Sequence, residues 1–368
     1  MPNEPLNTLI PNAPPAEAVR HGVRKKAAII AHSDAASDWQ PSGKALITES
    51  EELFDLLGLD PADLPAALAA SADFPLKVPR SYVERIERGN PQDPLLLQIL
   101  GQGIELQPVA GFAADPLDEQ SFAPVPGILH KYHGRVLLMA TGACAIHCRY
   151  CFRRHFPYQE HVSTTERLAG AIAWLEQRDD ITEVILSGGD PLSLSDRRLR
   201  DLLARLAALP QLRRLRIHTR LPLVMPERVS EGLLQVLTDF PLPVAMVLHA
   251  NHANELSDDV MAAFSLLRAC GVTLLNQTVL LKGVNADVGA LCDLSERLYE
   301  AAVLPYYLHQ LDPVAGAAHF MVDDAQALAL HGAMQERLPG YLVPRLVREM
   351  PAEKSKTWLS GRSIGPSG

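Results

Sequence analysis

Residues 144–151 read Cys-Ala-Ile-His-Cys-Arg-Tyr-Cys and hold three of the chain's five cysteines: Cys144, Cys148 and Cys151. Thiolates at this density are soft ligands for zinc or for an iron–sulfur cluster, and closed structural sites of both kinds use four protein ligands. A local set of three therefore predicts a cluster with one coordination position open for chemistry. The alternatives are buried free thiols, or a zinc site that takes its fourth ligand from His147 or His155.

The composition predicts a cytoplasmic protein that acts on a small molecule. The chain has 34 Lys and Arg residues against 43 Asp and Glu residues, a formal charge of −9, so it offers no basic field for nucleic acid. Few and unevenly spaced cysteines are not a disulfide framework, which favours a reducing compartment. The N-terminus lacks a basic-then-apolar leader and no apolar run reaches membrane-spanning length, so we expect no membrane partner.

The hydrophobic pattern divides the chain into three parts. Residues 1–24 are proline-rich without a clear period and a helical pattern follows, so residues 1–125 are predicted to form an N-terminal helical extension. Residues 126–340 form the core, in which short β-rich runs alternate with helical patterns. Residues 341–368 form a short C-terminal segment with a strand-like run at 342–347.

Three helices are predicted within the extension. Ser50 stands before acidic residues and a run of leucines, which is the pattern of a helix N-cap. Pro61 begins a second helix, because proline is favoured in the first turn. Asp93, followed by proline, begins a third that runs through Leu100.

The core pattern predicts an α/β fold. Its strands are expected at 136–140, 183–186, 214–218, 244–248, 273–279 and 304–308. Its helices are expected at 165–176, 196–208, 227–239, 257–270, 287–301 and 324–337. Strand–helix pairs repeating on the order of every 30 residues indicate parallel strands with crossover helices. We interpret them as a partial TIM-type (β/α)6 barrel, and the alternative is a doubly wound open sheet.

The polar motifs of the core follow the predicted strands, where barrel enzymes carry their active sites. The cysteine loop follows the first strand, and Ser187-Gly188-Gly189-Asp190 follows the second. The later strands are followed by, or contain, a further set of polar residues: His218, Arg220, His249, Gln277, His309 and Asp312.

The cysteine spacing resembles that of the radical S-adenosylmethionine (SAM) enzymes. Residues 148–156, Cys-Arg-Tyr-Cys-Phe-Arg-Arg-His-Phe, resemble the lysine 2,3-aminomutase family within that superfamily. Four later motifs are similar to that family in the same order: Ser-Gly-Gly-Asp-Pro-Leu (187–192), His-Ala-Asn-His (249–252), Asn-Gln-Thr-Val-Leu-Leu-Lys-Gly-Val-Asn (276–285) and Leu-Asp-Pro-Val-Ala-Gly-Ala-Ala-His-Phe (311–320). The stretch 340–357 looks closest to the branch that makes β-lysine for the modification of elongation factor P.

This resemblance implies a radical SAM barrel and a set of cofactors. The cysteines Cys144, Cys148 and Cys151 would hold a [4Fe–4S] cluster, SAM would occupy the open iron, and pyridoxal phosphate (PLP) would carry the amino group. The reaction would be the isomerisation of L-lysine to (R)-β-lysine. The implied partners are an electron donor such as flavodoxin or ferredoxin, elongation factor P and its lysyl-transferring ligase. The longer aminomutases have a cysteine-rich zinc-binding tail that is not found here, so we expect no zinc.

The resemblance also implies the residues that contact SAM. Tyr150 would lie near the adenine, although it is equally consistent with a core aromatic residue. The glycine loop would receive the amino group of SAM, and two later side chains would add contacts; the set is Ser187, Gly188, Gly189, Asp190, His249 and Gln277. Glycines permit a close backbone approach, but most Gly-Gly pairs are turns, and most core histidines are structural.

Lys356 matches the family lysine that holds PLP as an imine, with Lys354 as the competitor. A stretch that would face the PLP phosphate consists of Lys131, Tyr132 and Arg135. The forked guanidinium of Arg135 suits a phosphate.

Arg153 would hold the α-carboxylate of lysine, with Arg154 as the alternative. Asp312 and Glu349 would pair with its ammonium, unless both are ordinary ion-pair groups. Glu349 stands where the longer aminomutases have Asp, and we connect its extra methylene with the different stereochemistry of the product. The competing functions are a radical SAM enzyme without PLP and a non-catalytic zinc-binding module.

Overall fold

The N-terminal part is built from short elements. The structure is a computed structural model that describes residue 39 and residues 45–157, 165–351 and 353–359, so the predicted irregular lead at 1–24 lies outside the described residues. The N-terminal elements are β1 (Leu46–Ile47), α1 (Ser50–Leu57), α2 (Leu64–Asp73), β2 (Val78–Pro79) and α3 (Arg80–Val83). The strands β1 and β2 pair antiparallel.

Two of the three predicted helices of the extension are confirmed. Ser50 is the first residue of α1 and not its cap, and its hydroxyl lies 3.3 Å from that of Ser71. The second helix begins with a 3-10 turn at Pro61 that continues into α2. The third prediction is wrong, because only a 3-10 turn forms at Leu96–Gln98. The carboxylate of Asp93 caps this turn, but glycines follow at once and leave too few residues for a stable second turn.

Within the described residues the core is a nine-stranded sheet. Its strands are β3 (Ile128–Tyr132), β4 (Arg135–Thr141), β5 (Glu183–Gly188), β6 (Arg214–Thr219), β7 (Val244–Leu248), β8 (Thr273–Val279), β9 (Leu304–His309), β10 (Arg345–Arg348) and β11 (Thr357–Trp358). The strands β4 to β10 run parallel, and β3 and β11 are antiparallel edge strands.

The strand order follows the chain order from one edge to the other. A doubly wound sheet reverses its strand order at a switch point, so this alternative is wrong and the singly wound β/α arrangement is confirmed. The six predicted core strands correspond to β4 to β9, and the strand-like run at 342–347 begins only at Arg345. The edge strands β3 and β11 were not predicted.

Helices connect the parallel strands at the predicted positions. They are α4 (Thr165–Glu176), α5 (Asp196–Ala207), the short α6 (Leu221–Val224), α7 (Glu231–Asp239), α8 (Asp258–Ala269), α9 (Val288–Glu300) and α10 (Asp324–Arg337). The predicted start of α7 at residue 227 is wrong, because a 3-10 turn occupies Pro226–Arg228 and Ser230 caps the helix. Leucines of α5 and β5 share one buried core, in which each buried side chain contributes about 1.5–3 kcal/mol.

The sheet is strongly curved. Lys131 lies on β3 and Glu349 directly follows β10, yet Lys131 Nζ lies 2.8 Å from Glu349 Oε1. Seven strand spacings of about 4.8 Å separate β3 from β10 in the strand order, which is about 34 Å across a flat sheet. The contact joins the amino end of β4, where Tyr132 pairs with Arg135, to the carboxyl end of β10. This stagger is expected of tilted strands that curl into a partial barrel.

Gly189 is required because the β5 loop packs on the backbone that follows β4. A Cβ at Gly189 would overlap the carbonyl group of Ala143 and the backbone of Gly142. We expect Gly189→Ala to lower the free energy of unfolding by roughly 1–3 kcal/mol, measured by urea denaturation.

The matched control is Gly170→Ala on the exposed face of α4, where an added Cβ meets nothing within 4 Å. This change is expected to raise the stability by roughly 0.5–1 kcal/mol. A Gly189→Ala variant as stable as the wild type would contradict the steric argument.

Candidate active site

The cysteine loop follows β4, and its three thiols act electrostatically on one another. Burial raises the pKa of Cys144, and Cys151, Asp190 and Cys148 raise it further. Burial and the neighbouring Cys148 likewise raise the pKa of Cys151 to about 11. Three thiolates in this partly buried loop therefore need positive charge to compensate them, which the iron of a bound cluster would supply.

One ring nitrogen of each histidine in this loop contacts a backbone carbonyl oxygen. His147 Nδ1 lies 2.8 Å from the carbonyl oxygen of Pro75, and His155 Nε2 lies 3.2 Å from that of Ala315. The three mutually interacting thiols fit the ligand set of an iron–sulfur cluster with one open iron. In the described part of the chain, no three His, Cys, Asp or Glu side chains are gathered around a single-ion position.

Two arginines tie the cysteine loop to the N-terminal part. Arg149 is fully buried and forms an ion pair of 2.6 Å with Glu105, while its Nη1 donates to the carbonyl oxygen of Phe74 at 2.5 Å. Arg154 pairs with the same Glu105 at 3.0 Å and with Asp73 at 3.3 Å. Arg154, the alternative to Arg153 in substrate binding, is therefore engaged in holding the loop.

The glycine loop is hydrogen bonded to the start of the cysteine loop. The amide of Gly189 donates to Thr141 O at 2.7 Å, and the amide of Asp190 donates to Ala143 O at 2.8 Å. Gly188 has a φ of +119°, a conformation that favours glycine. The two glycines thus allow the glycine loop to pack on the start of the cysteine loop, and this packing fixes the position of the cysteine loop.

Asp190 connects the loops that follow β5 and β6. Its Oδ1 accepts hydrogen bonds from the Thr219 hydroxyl at 2.7 Å and from the amide of Leu192 at 3.0 Å. Its Oδ2 accepts from the amides of Arg220 at 2.8 Å and Leu221 at 3.0 Å. Both carboxylate oxygens are thus used within the protein. The alternative expectation from the sequence, that Asp190 caps the following turn, is confirmed by its bond to the amide of Leu192, whereas its bonds to the β6 loop were not predicted.

Arg153 faces the end of β5. Its Nη1 donates to the hydroxyl of Ser187 at 3.0 Å and lies 3.4 Å from the carbonyl oxygen of Gly188. Its Nε and Nη2 donate to both carboxylate oxygens of Glu119, at 2.8 and 2.6 Å. Glu119 begins a short 3-10 turn, Glu119–Phe122, in the segment before β3. No periodic pattern in this segment draws attention to Glu119, so it was not predicted.

Three histidines lie at the carboxyl ends of β6, β7 and β9. His249 Nε2 lies 3.0 Å from Gln277 Nε2, and the ring of His218 is 5.8 Å from that of His249. Burial lowers the pKa of all three, that of His249 to about 3, and the ammonium of Lys356 lowers each further. The Nε2 atoms of His218 and His309 are buried and have no hydrogen-bond partner among the described residues.

Glu349 and Lys356 meet at the end of the C-terminal hairpin. Because Arg348 on β10 pairs with Thr357 on β11, the next residue on each side, Glu349 and Lys356, lie opposite each other. Lys356 Nζ donates to Glu349 Oε2 at 2.8 Å, and it lies 5.5 Å from the ring centroid of Tyr307. The competing Lys354 is exposed.

Two of the three predicted phosphate-facing residues contact the same carboxylate. Lys131 Nζ and the hydroxyl of Tyr132 both donate to Glu349 Oε1. The guanidinium of Arg135 lies over the ring of Tyr132, 4.7 Å from its centroid. The ammonium groups of Lys131 and Lys356 thus share the carboxylate of Glu349, and Arg135 is linked to them only through its stacking on Tyr132.

The pKa values of Asp312 and Glu349 are shifted in opposite directions. Burial raises the pKa of Asp312 to about 7; Glu349 and Glu119 raise it further, while Lys356 and Arg153 oppose the rise. Burial also raises the pKa of Glu349, but Lys356, Lys131 and Tyr132 outweigh it and hold the value at about 2. The site therefore holds one carboxylate that stays ionised and one that gains or loses its proton near neutral pH.

Tyr150 packs on the apolar cluster around Phe320, with ring centroids 6.4 Å apart, and its hydroxyl accepts a hydrogen bond of 2.8 Å from Arg220. The sequence analysis noted that Arg220 follows a strand but gave it no role. His218 was likewise noted without a role. In both cases the signal was a polar residue at the carboxyl end of a parallel strand.

The comparisons with known proteins agree with this geometry. The sequence pattern of the radical SAM superfamily matches residues 138–294. The L-lysine 2,3-aminomutase of Escherichia coli (strain K12) is 46% identical over 323 residues, which are 88% of this chain and 94% of that protein. The chain belongs to the radical SAM lysine 2,3-aminomutase family. It is thus an enzyme of the isomerase class, and radical SAM membership implies a [4Fe–4S] cluster and SAM.

Two further relatives of this family show the range of similarity. The L-lysine 2,3-aminomutase of Haemophilus influenzae is 45% identical over 87% of this chain and 95% of that protein. That of Clostridium subterminale is 33% identical over 87% of this chain and 77% of that protein. The predicted family resemblance and the α/β fold class are confirmed. In the described part of the chain, no helix has the length and apolarity needed to cross a membrane.

The pKa of Asp312 predicts a pH-dependent stability. In the unfolded chain its carboxyl titrates near pH 3.9, and in the folded protein its pKa is about 7. Between these values the folded protein keeps a proton that the unfolded chain releases, so this group lowers stability as the pH rises, by at most about 1.4 kcal/mol per pH unit. We expect Asp312→Asn to remove that slope when urea unfolding is followed from about pH 4 to 7.

Glu349→Gln is the contrasting variant. Because the pKa of Glu349 is held at about 2, its contribution is present above the unfolded value and is lost as the pH falls toward 2. Glu349→Gln is therefore expected to flatten the acid limb below about pH 4.5. It is expected to narrow the slope of Asp312 without removing it, because the charge of Glu349 raises the pKa of Asp312. Identical pH profiles for the two variants would contradict the assignment.

Proposed function

We propose that the protein is a PLP-dependent L-lysine 2,3-aminomutase that converts (S)-α-lysine to (R)-β-lysine. One observation carries the proposal. Lys356 lies on the C-terminal hairpin and Arg153 on the cysteine loop, yet the charge of each lowers the pKa of the same three groups, Asp312, His218 and His249. A lysine for PLP and an arginine of the cluster loop thus face one buried interior. The identity to proteins named L-lysine 2,3-aminomutase supports the same conclusion.

The chain's residues divide the work of holding the cofactors. When bound, the [4Fe–4S] cluster, SAM and PLP supply the radical chemistry and carry the migrating amino group. Cys144, Cys148 and Cys151 bind the cluster. Lys356 would bind PLP, and its ion pair with Glu349 holds the ammonium at the end of the hairpin. For the phosphate the residues are Lys131, Tyr132 and Arg135.

The same interior offers SAM a set of polar contacts. The glycine loop, Ser187 to Asp190, is held against the cysteine loop by backbone hydrogen bonds, so it would lie beside SAM bound at the cluster. His249 and Gln277 form a hydrogen-bonded pair at the neighbouring strand ends, and Tyr150 adds an aromatic face. His249 is uncharged at neutral pH because its pKa is about 3, so it offers a hydrogen bond to SAM without repelling the sulfonium.

L-Lysine fits the charges that remain. The guanidinium of Arg153 binds the α-carboxylate. The two acids, Asp312 and Glu349, bind the side-chain ammonium, and a cation beside Asp312 favours its ionised form. The surrounding histidines are buried and neutral, so they exclude water without adding charge. Glu349 is longer than aspartate by one methylene, which shifts the bound ammonium and favours a different product stereochemistry.

We further propose that the β-lysine modifies elongation factor P through a lysyl-transferring ligase, and that a flavodoxin or ferredoxin supplies the electron. The support for this role is the likeness of residues 340–357 to the branch with that function. The test is an anaerobic reaction with labelled L-lysine, SAM and dithionite, followed by chiral analysis of the product. Its product is then offered to the ligase and elongation factor P, and the protein is examined by intact mass. An (S)-product, or no added mass, would contradict this role.

Lys356→Ala is expected to abolish β-lysine formation and the visible absorbance of lysine-bound PLP, because no other lysine replaces the anchor. Lys354→Ala is the matched control on the same hairpin, and it is expected to keep both. Borohydride reduction followed by peptide mapping locates the PLP label directly. A label on Lys354 would show that the anchor is wrong. Lysine conversion without bound PLP would favour the PLP-free alternative, and zinc without iron or labile sulfide would favour the zinc module.

Arg153→Lys keeps the charge and loses the planar fork. A charge-assisted hydrogen bond contributes about 1.5–3 kcal/mol, so we expect kcat/KM for lysine to fall roughly 10- to 100-fold, mainly through KM. Arg154→Lys is the comparison, because Arg154 pairs with Glu105 and Asp73. This variant is expected to lower Tm and leave KM within a few-fold. A larger KM effect at Arg154 than at Arg153 would reverse the assignment.

A further inference from the structure

Arg220 directly follows β6, and its guanidinium is buried between the cysteine loop and a carboxylate. Its Nη1 donates to the sulfur of Cys148 at 2.7 Å and to the hydroxyl of Tyr150 at 2.8 Å. Its Nη2 donates to Glu255 Oε2 at 2.8 Å and to Gln98 Oε1 at 2.7 Å. One end of the guanidinium therefore faces a cysteine sulfur and the other faces a negative charge.

We propose that Arg220 is a positioning residue that holds the sulfur of Cys148 and raises the reduction potential of the iron–sulfur cluster. The inference rests on the proposed cluster role of Cys148 and is independent of the substrate. Hydrogen bonds to cluster sulfurs and nearby positive charge stabilise the reduced, more negative state of a cluster. The couple is the one-electron reduction of [4Fe–4S]2+ to [4Fe–4S]1+, for which an external one-electron donor supplies the electron.

Glu255 is placed to act in the opposite direction. It is fully buried, and its Oε1 accepts hydrogen bonds from the amides of Asn251 at 2.8 Å and His252 at 3.1 Å. These bonds fix the carboxylate independently of Arg220. Its negative charge therefore offsets part of the field of Arg220 at the sulfur, and its removal leaves a more positive environment around the cluster.

The experiment measures the cluster potential in the full chain. Wild type, Arg220→Met, Arg220→Lys and Glu255→Gln are reconstituted anaerobically, and their iron and labile sulfide are counted. Each is then titrated with dithionite and redox mediators, without SAM or lysine, and the reduced cluster is quantified by electron paramagnetic resonance. We expect a lower potential for Arg220→Met, a smaller decrease for Arg220→Lys, and a higher potential for Glu255→Gln.

Arg228→Met is the matched control for the loss of a buried guanidinium. Arg228 is fully buried and donates to the carbonyl oxygens of Leu192 at 2.7 Å and Leu194 at 3.2 Å, and it pairs with Asp196. Its substitution is expected to lower Tm while the potential stays at the wild-type value. A merely structural role for Arg220 would give the same result, a lower Tm with no change in potential.

A lower cluster potential in Arg220→Met together with a higher one in Glu255→Gln supports the proposal. Unchanged potentials, shifts of the same sign, or both shifts in the reverse directions overturn it. If Arg220→Met does not fold or does not load iron, Glu255→Gln decides, because only an increase in potential agrees with the charge argument. A chain that makes no β-lysine but shows the opposite shifts would refute the substrate proposed above and retain this role of Arg220.

Discussion

The arrangement of the site depends on the contacts of one carboxylate, that of Glu349. It follows β10, yet it accepts hydrogen bonds from Lys131 and Tyr132 on β3, at the other end of the strand order, and from Lys356 beside β11. A flat sheet would keep Glu349 about 34 Å from Lys131 and Tyr132, so these two contacts exist only because the sheet curls. The ionised state of Glu349 follows from its contacts with all three residues, since they hold its pKa at about 2 against burial.

The N-terminal part forms the other boundary of the site through buried arginines. Arg149 and Arg154 converge on Glu105, and Arg220 reaches Gln98 and the hydroxyl of Tyr82. Removing one partner from such a pair leaves a buried charge without compensation, which costs about 3–5 kcal/mol. The cysteine loop is therefore held by ion pairs whose cost of disruption is large, although a short loop without regular structure has little intrinsic rigidity.

Local pattern was sufficient for the elements that repeat and insufficient for those that do not. The strands β4 to β9 and their helices were predictable, because each strand is a short apolar or alternating run and most of the helices have a 3.6-residue period. The edge strands β3 and β11 were missed, because they owe their pairing to the neighbouring strand. In the site, residues at strand ends were found by position, whereas Glu119 and the bonding of Asp190 depend on contacts between distant segments. The anchor at Lys356 came from family resemblance; only the register of Arg348 with Thr357 explains why it meets Glu349.

Two of the three charged groups predicted to bind lysine already form an ion pair within the protein, and the third is only partly ionised. Arg153 is paired with Glu119, Glu349 is paired with Lys356, and Asp312 has a pKa of about 7 and so carries only part of its charge at neutral pH. Ionised groups without partners in such an interior would be costly, and these pairings keep the site close to neutral before a ligand enters. In the proposed function, a ligand with one carboxylate and an ammonium would exchange partners with these groups and bring in its own compensation. A site of this kind discriminates against ligands that lack one of the charges, because the group left behind would stay buried and unpaired.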